Sequence, residues 1–171
     1  MLAQETRWLA QDLHTDHARC TLAYWHQPTF SASTTAADAA APGAGSAEGG
    51  AADAWWTLLY QAHASLVLNG HEHLYARLRP MDPNGHPDAR NGIPEIIVGS
   101  GGEALDTTAT TSTGAYSNPN VVTAQDEAFG VMNLQLKPDG YSFDYRPVLA
   151  GPGFTSVALN YHDSGSGSCR G

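Results

Sequence analysis

Basic side chains are scarce in this chain: 8 Lys and Arg stand against 17 Asp and Glu, a formal charge of −9 at pH 7. A nucleic-acid partner needs a basic footprint to neutralise its phosphates, so that class is excluded. Small phosphate esters are not, because bound metal ions can supply the local positive charge. Long apolar runs are missing too. No stretch approaches the roughly 18 consecutive apolar residues of a membrane span, and the N-terminus lacks the basic-then-apolar pattern of a secretory signal. Cysteine occurs only as Cys20 and Cys169. Two cysteines define no compartment by themselves; a pair of buried thiols and a single bond both remain open. The chain also lacks the Gly-Lys-Ser/Thr ending of a phosphate-binding loop and any Gly-x-Ser-x-Gly elbow, which removes P-loop and serine-hydrolase chemistry.

What is present suits one domain: 171 residues, 42% apolar, with four Trp and seven Tyr. Gln4 to Leu13 reads as a short helix with Trp8, Leu9 and Leu13 inward, and Cys20 to Trp25 as a buried strand. Thr29 to Asp53 is low-complexity, Ala/Gly/Ser/Thr-rich sequence and predicts a long flexible loop. Ala54 to His63 reads as a helix feeding a strand over Ser65 to Asn69; Leu74 to Arg79 and Glu95 to Val98 read as further strands. Residues 100–127 predict a second long flexible loop. Phe129 to Leu136, the turn Lys137 to Gly140 and Tyr141 to Pro147 predict a hairpin. Phe154 to Leu159 predicts an edge strand before a Gly/Ser tail over 163–171.

Two apolar runs end in histidine. Leu66-Val67-Leu68-Asn69-Gly70-His71-Glu72-His73 delivers two imidazoles one residue apart, and Thr21-Leu22-Ala23-Tyr24-Trp25-His26-Gln27-Pro28 delivers a third before a proline stop. Imidazole is the commonest ligand for a catalytic metal. Eight His in 171 residues give about 0.4 chance His-x-His matches, so the pair alone carries little. Two strands ending in histidine at one sheet edge carry more, because open α/β sheets place their sites beyond the carboxyl ends of strands. The bland alternative is a set of hydrogen-bonded rim histidines. His14 and His17, beside Asp12 and Asp16, read as a solvated cluster; His63 ends a helix, where the dipole favours a cation; His86 and His162 lie in turn-rich segments.

Tyr24-Trp25-His26-Gln27-Pro28, Val67-Leu68-Asn69-Gly70-His71-Glu72-His73, Val98-Gly99-Ser100-Gly101-Gly102 and Asp163-Ser164-Gly165-Ser166-Gly167-Ser168-Cys169 occur in an order and spacing that resemble the calcineurin-like metallophosphoesterases. The likeness is to the secreted, purple-acid-phosphatase-like bacterial branch. It runs from about Gln4 to Cys169 and concerns only the C-terminal half of that family's catalytic domain. The fold it implies is α/β: one partial domain over residues 1–171, the C-terminal half of a four-layer α/β/β/α sandwich, with mixed sheets and antiparallel strands toward the C-terminus.

That resemblance implies a metal-dependent phosphoesterase acting on small phosphate esters. His26 and His71 would bind one metal and His73 the other, the two ions being Zn, Fe or Mn. Two metals roughly 3.5 to 4 Å apart acidify a bound water and clamp the attacking and leaving oxygens. The family's earlier blocks are absent here: the opening Asp, the Gly-Asp block with its bridging carboxylate, and the Gly-Asn-His-Glu block with the catalytic His. The catalytic residue is therefore unknown, the metals are incompletely coordinated, and the chain reads as a truncated or split enzyme whose partner is a missing N-terminal segment or a complementing chain. Ser31 to Asp38 contains none of the additional histidines that plant members place after this block. The resemblance further implies secretion or a periplasmic location and a Cys20–Cys169 disulfide, which would stabilise by about 4 to 5 kcal/mol in the chain-entropy model. A single zinc held by all three histidines is a rival arrangement. The alternative function is a catalytically inactive remnant serving as a metal-binding or interaction module.

Overall fold

The computed structural model describes residues 2–34, 49–148 and 160–169. In chain order they form α1 (Leu2–Thr15), β1 (Leu22–Trp25), α2 (Gly49–Gln61), β2 (Leu66–Asn69), β3 (Tyr75–Met81), β4 (Ile93–Val98), β5 (Val121–Gln125), β6 (Gly130–Lys137), β7 (Gly140–Pro147) and β8 (Asp163–Ser168). A five-stranded mixed sheet has the order β1-β2-β4-β3-β5, with β1, β2 and β4 parallel and β3 antiparallel to both its neighbours. Strands β6, β7 and β8 form a second, antiparallel sheet.

Consecutive residues of the first sheet serve opposite faces, as the pleat requires. Val67, Ala76 and Ile97 pack under Leu9 and Leu13 of α1 and Trp56 and Leu59 of α2. Their neighbours Leu66, Tyr75 and Ile96 meet Tyr141, Phe143 and Tyr145 of β7. The described residues therefore stack as helices, mixed sheet and antiparallel sheet. Covered on both faces, β2 and β4 read as near-continuous apolar runs.

A polar clamp joins the sheets on one side. Arg77 Nε and Nη2 donate to Asp163 Oδ2 and Oδ1 at 2.7 and 3.0 Å, and Tyr75 Oη donates to Asp163 Oδ2 at 2.7 Å. Burial and the adjacent Asp163 carboxylate push the Tyr75 phenol far above its ordinary value. Tyr75 also stacks on Tyr145 with centroids 3.8 Å apart. Cys20 and Cys169 are disulfide-bonded, with Cα atoms 4.8 Å apart, and so tie the entry to β1 to the end of β8.

Several sequence expectations shift. Trp8 is not inward but 63% exposed, because Leu9 and Leu13, an i,i+4 pair, take the buried face. Helix α2 begins at Gly49 rather than Ala54. His63 ends it through the backbone: with φ +56° it sits in the left-handed region, while its N–H donates to Tyr60 and that of Ala64 to Leu59. The segment read as a Gly/Ser tail is β8, and the 100–127 stretch contains β5. Where the first expected loop is described, Phe30 and Ala32 are buried, and residues 32–34 hydrogen-bond to residues 107–109 of the second. The expected strand at Phe154 to Leu159 lies outside the described residues.

Candidate functional site

Parallel pairing of β1 and β2 puts Trp25 opposite Asn69, so the next residues of both strands leave the sheet side by side. His26 and His71 then face one another: Nε2 of His26 and Nδ1 of His71 are 3.2 Å apart, with the rings edge to face at 79°. One ring nitrogen donates and the other accepts. Gln27 Nε2 lies 3.5 Å from the far nitrogen of His71. His71 adopts φ +61°, a conformation that side chains other than glycine's seldom take and that is held at a local cost.

His73 points elsewhere. Its backbone N–H donates to Asp106 Oδ2 at 2.7 Å, and its Nδ1 lies 2.9 Å from the Ala104 carbonyl. A carbonyl only accepts, so Nδ1 carries a proton, and in the neutral ring Nε2 is the nitrogen left with a lone pair. That is the tautomer a ligating imidazole takes when its other nitrogen is anchored.

Two buried carboxyls brace the site from behind. Glu72, fully buried between the two loop histidines, accepts the Ala32 N–H at 2.9 Å. Glu95 on β4 accepts the Thr29 N–H at 3.0 Å and a further bond from the Phe30 backbone. Burial, with a smaller contribution from the charge of Glu72, raises the Glu95 carboxyl well above its usual range. Together they fasten the segment that follows His26. Sequence reading assigned neither a role; the available signal for Glu95 was a lone carboxylate inside Ile-Pro-Glu-Ile-Ile-Val. Gly99 is needed because a Cβ there would overlap the Glu72 carbonyl, so the glycine-rich block after β4 serves close packing against the histidine loop.

The remaining histidines have local explanations. His86 pairs with Asp82 at 3.2 Å and His162 with Asp144 at 3.3 Å, while His14 and His17 are exposed. Beside the histidine pair, a cleft of about 570 Å³ opens between the sheets, lined in part by Tyr24, Leu68, Val98 and Met132. Imidazole nitrogens suit Zn, Fe or Mn in kind. In number they fall short: among the described residues no group of three or more His, Cys, Asp or Glu converges to hold a metal. The described side chains do not gather His26, His71 and His73 into one three-donor group.

No family model and no curated protein sequence matches the chain. Solved structures do match its fold. The purple acid phosphatase PPD1 from yellow lupin (Lupinus luteus) seeds superposes with a TM-score of 0.67 at 15% identity, covering 95% of this chain and 28% of that one. The chain has the calcineurin-like metallophosphoesterase fold. PhoD matches with a TM-score of 0.60 at 16% identity, over 95% of this chain and 32% of its own. GAP50, the anchor in the inner membrane complex of Plasmodium, matches at 0.63 and 14% identity, over 99% of this chain and 42% of its own. The chain thus spans less than half the length of each of these three proteins. Within that fold the His26–His71 pair occupies the carboxyl ends of adjacent parallel strands, where α/β sheets place their ligands.

Proposed function

We propose that this chain carries part of the metal centre of a phosphate-ester hydrolase. His26 and His71 supply nitrogen donors to one ion and His73 Nε2 to a second. The observation that carries the reading is the His26–His71 pair, 3.2 Å apart at the ends of β1 and β2, in a fold shared with a purple acid phosphatase and PhoD. When bound, the metals activate water and stabilise charge on the phosphoryl oxygens. The donors present are too few to hold two ions, so no catalytic step is assigned to this chain alone. The remaining ligands come from a further segment, upstream or on a complementing chain.

The sheet edges support this. Among the described residues β1 pairs only with β2, and β6 only with β7. Exposed apolar side chains mark both edges: Tyr24 at 79%, Val131 at 58% and Leu136 at 68%. Open edges with apolar surface are pairing sites for another chain. Size-exclusion chromatography of the chain alone should show association; a clean monomer with a cooperative melt would count against the complementing segment. The Cys20–Cys169 bond supports an oxidising compartment, secreted or periplasmic.

A second reading has its own support. The absence of a three-donor group among the described residues, with GAP50 named as an anchor, favours an inactive interaction module. Hydrolysis of a chromogenic phosphate ester with added Zn, Mn or Fe separates the two. Turnover abolished by His71→Ala refutes the inactive module. An upstream coding sequence that lacks an Asp block and a Gly-Asn-His-Glu block, in a chain without turnover, refutes the hydrolase reading.

A further inference from the structure

We propose that Asn69 is a positioning residue for His26. Its carboxamide, rather than strand pairing alone, sets the angle at which the His26 imidazole meets His71. The pairing of β1 with β2 ends at Trp25 opposite Asn69, and His26 lies just beyond it. There Asn69 Nδ2 donates to the carbonyl oxygens of both Trp25 and Gln27, each at 3.1 Å. The Gly70 N–H donates to the carbonyl between them, that of His26, at 3.0 Å. Three consecutive carbonyls of the first strand's exit are thus tied to two consecutive residues of the second. With carbonyls fixed on both sides of His26, its backbone dihedrals and the direction of its Cα–Cβ bond are fixed too.

The other half of the amide shows why the residue is there. Both partners of Nδ2 are carbonyls, which only accept, so the orientation of the amide is settled. Asn69 is 5% exposed, and among the described residues its Oδ1 has no hydrogen-bond partner. A buried carbonyl left unpaired is destabilising, so an apolar residue of the same shape would serve packing better. The two donors are what an apolar residue lacks, and they act on the residue that presents His26.

The functional meaning rests on the metal-site reading given above, but the geometry is testable without metal. Asn69→Leu keeps the number and branching of the side-chain heavy atoms and removes both donors and the unpaired oxygen. In the full metal-free chain, which should still melt cooperatively, NMR should show the ring-to-ring NOEs between His26 and His71 lost or weakened several-fold. Zinc affinity, measured by chelator competition, should fall roughly tenfold, the size typical of removing a partner that orients a ligand. Unchanged NOEs with a lowered midpoint would show a packing role and overturn the proposal. If Asn69→Leu does not fold, Asn69→Ser is read by the same two criteria. If the unsubstituted chain binds no zinc, the metal reading fails, and the NOEs still decide the role of Asn69.

Discussion

Replacing Glu95 with Gln should make the protein progressively more stable than the unsubstituted chain as pH rises. Glu95 is fully buried, and its Oε1 accepts the Thr29 N–H at 3.0 Å. Burial, and then the charge of Glu72, raises its carboxyl well above the ordinary value of 4.5. Between the unfolded and the folded value, the native state holds a proton that the unfolded chain has released. Stability from this group is therefore complete below the unfolded value and is lost as pH climbs toward the folded one. Each pH unit crossed removes up to about 1.4 kcal/mol. Gln keeps an acceptor for Thr29 and carries no titrating proton. Urea melts at pH 5, 6 and 7 should show the variant's advantage growing by up to about 1.4 kcal/mol per unit. A difference that is flat across this range would refute the reasoning.

Other perturbations test the frame around the site. Arg77→Ala removes the two guanidinium hydrogen bonds to the Asp163 carboxylate and should cost about 2 to 4 kcal/mol in urea melts, with part of the loss recovered when Asp163→Asn is added. Gly165→Ala brings a Cβ within 2.8 Å of Phe143 Cζ and should destabilise by about 1 to 3 kcal/mol, read from the melt. Cys20→Ser with Cys169→Ser opens a link spanning 149 residues and should lower stability by about 4 to 5 kcal/mol in the chain-entropy model.

The elements that sequence reading found are those with continuous apolar runs or chemically marked turns, although β1, expected as a buried strand, is only partly buried, with Tyr24 79% exposed at the sheet edge. Leu22–Trp25 and residues 66–68 are apolar throughout and lead to a histidine or to Asn-Gly; the β6–β7 hairpin is announced by Pro138-Asp139-Gly140. Strand β8 was missed because Ser-Gly-Ser-Gly-Ser has the composition of a tail. Its period of two was the signal: Gly165 and Gly167 lie under the rings of Phe143 and Tyr141, where no side chain fits, and the serines alternate with them. Strand β5 was hidden in a polar stretch because it is held by pairing with Tyr75, Ala76, Arg77 and Leu78 of β3, distant in sequence. The three candidate histidines were legible as residues. Their arrangement was not, since the direction of His73 depends on the Ala104 carbonyl and Asp106, and the hold on His26 depends on Asn69, Glu72 and Glu95.

If His26 and His71 form a partial metal site, zinc binding depends on His71. In calorimetric titration of the full chain with zinc, weak binding should disappear in His71→Ala and persist in the control His86→Ala; identical isotherms for the unsubstituted chain and His71→Ala would rule the site out.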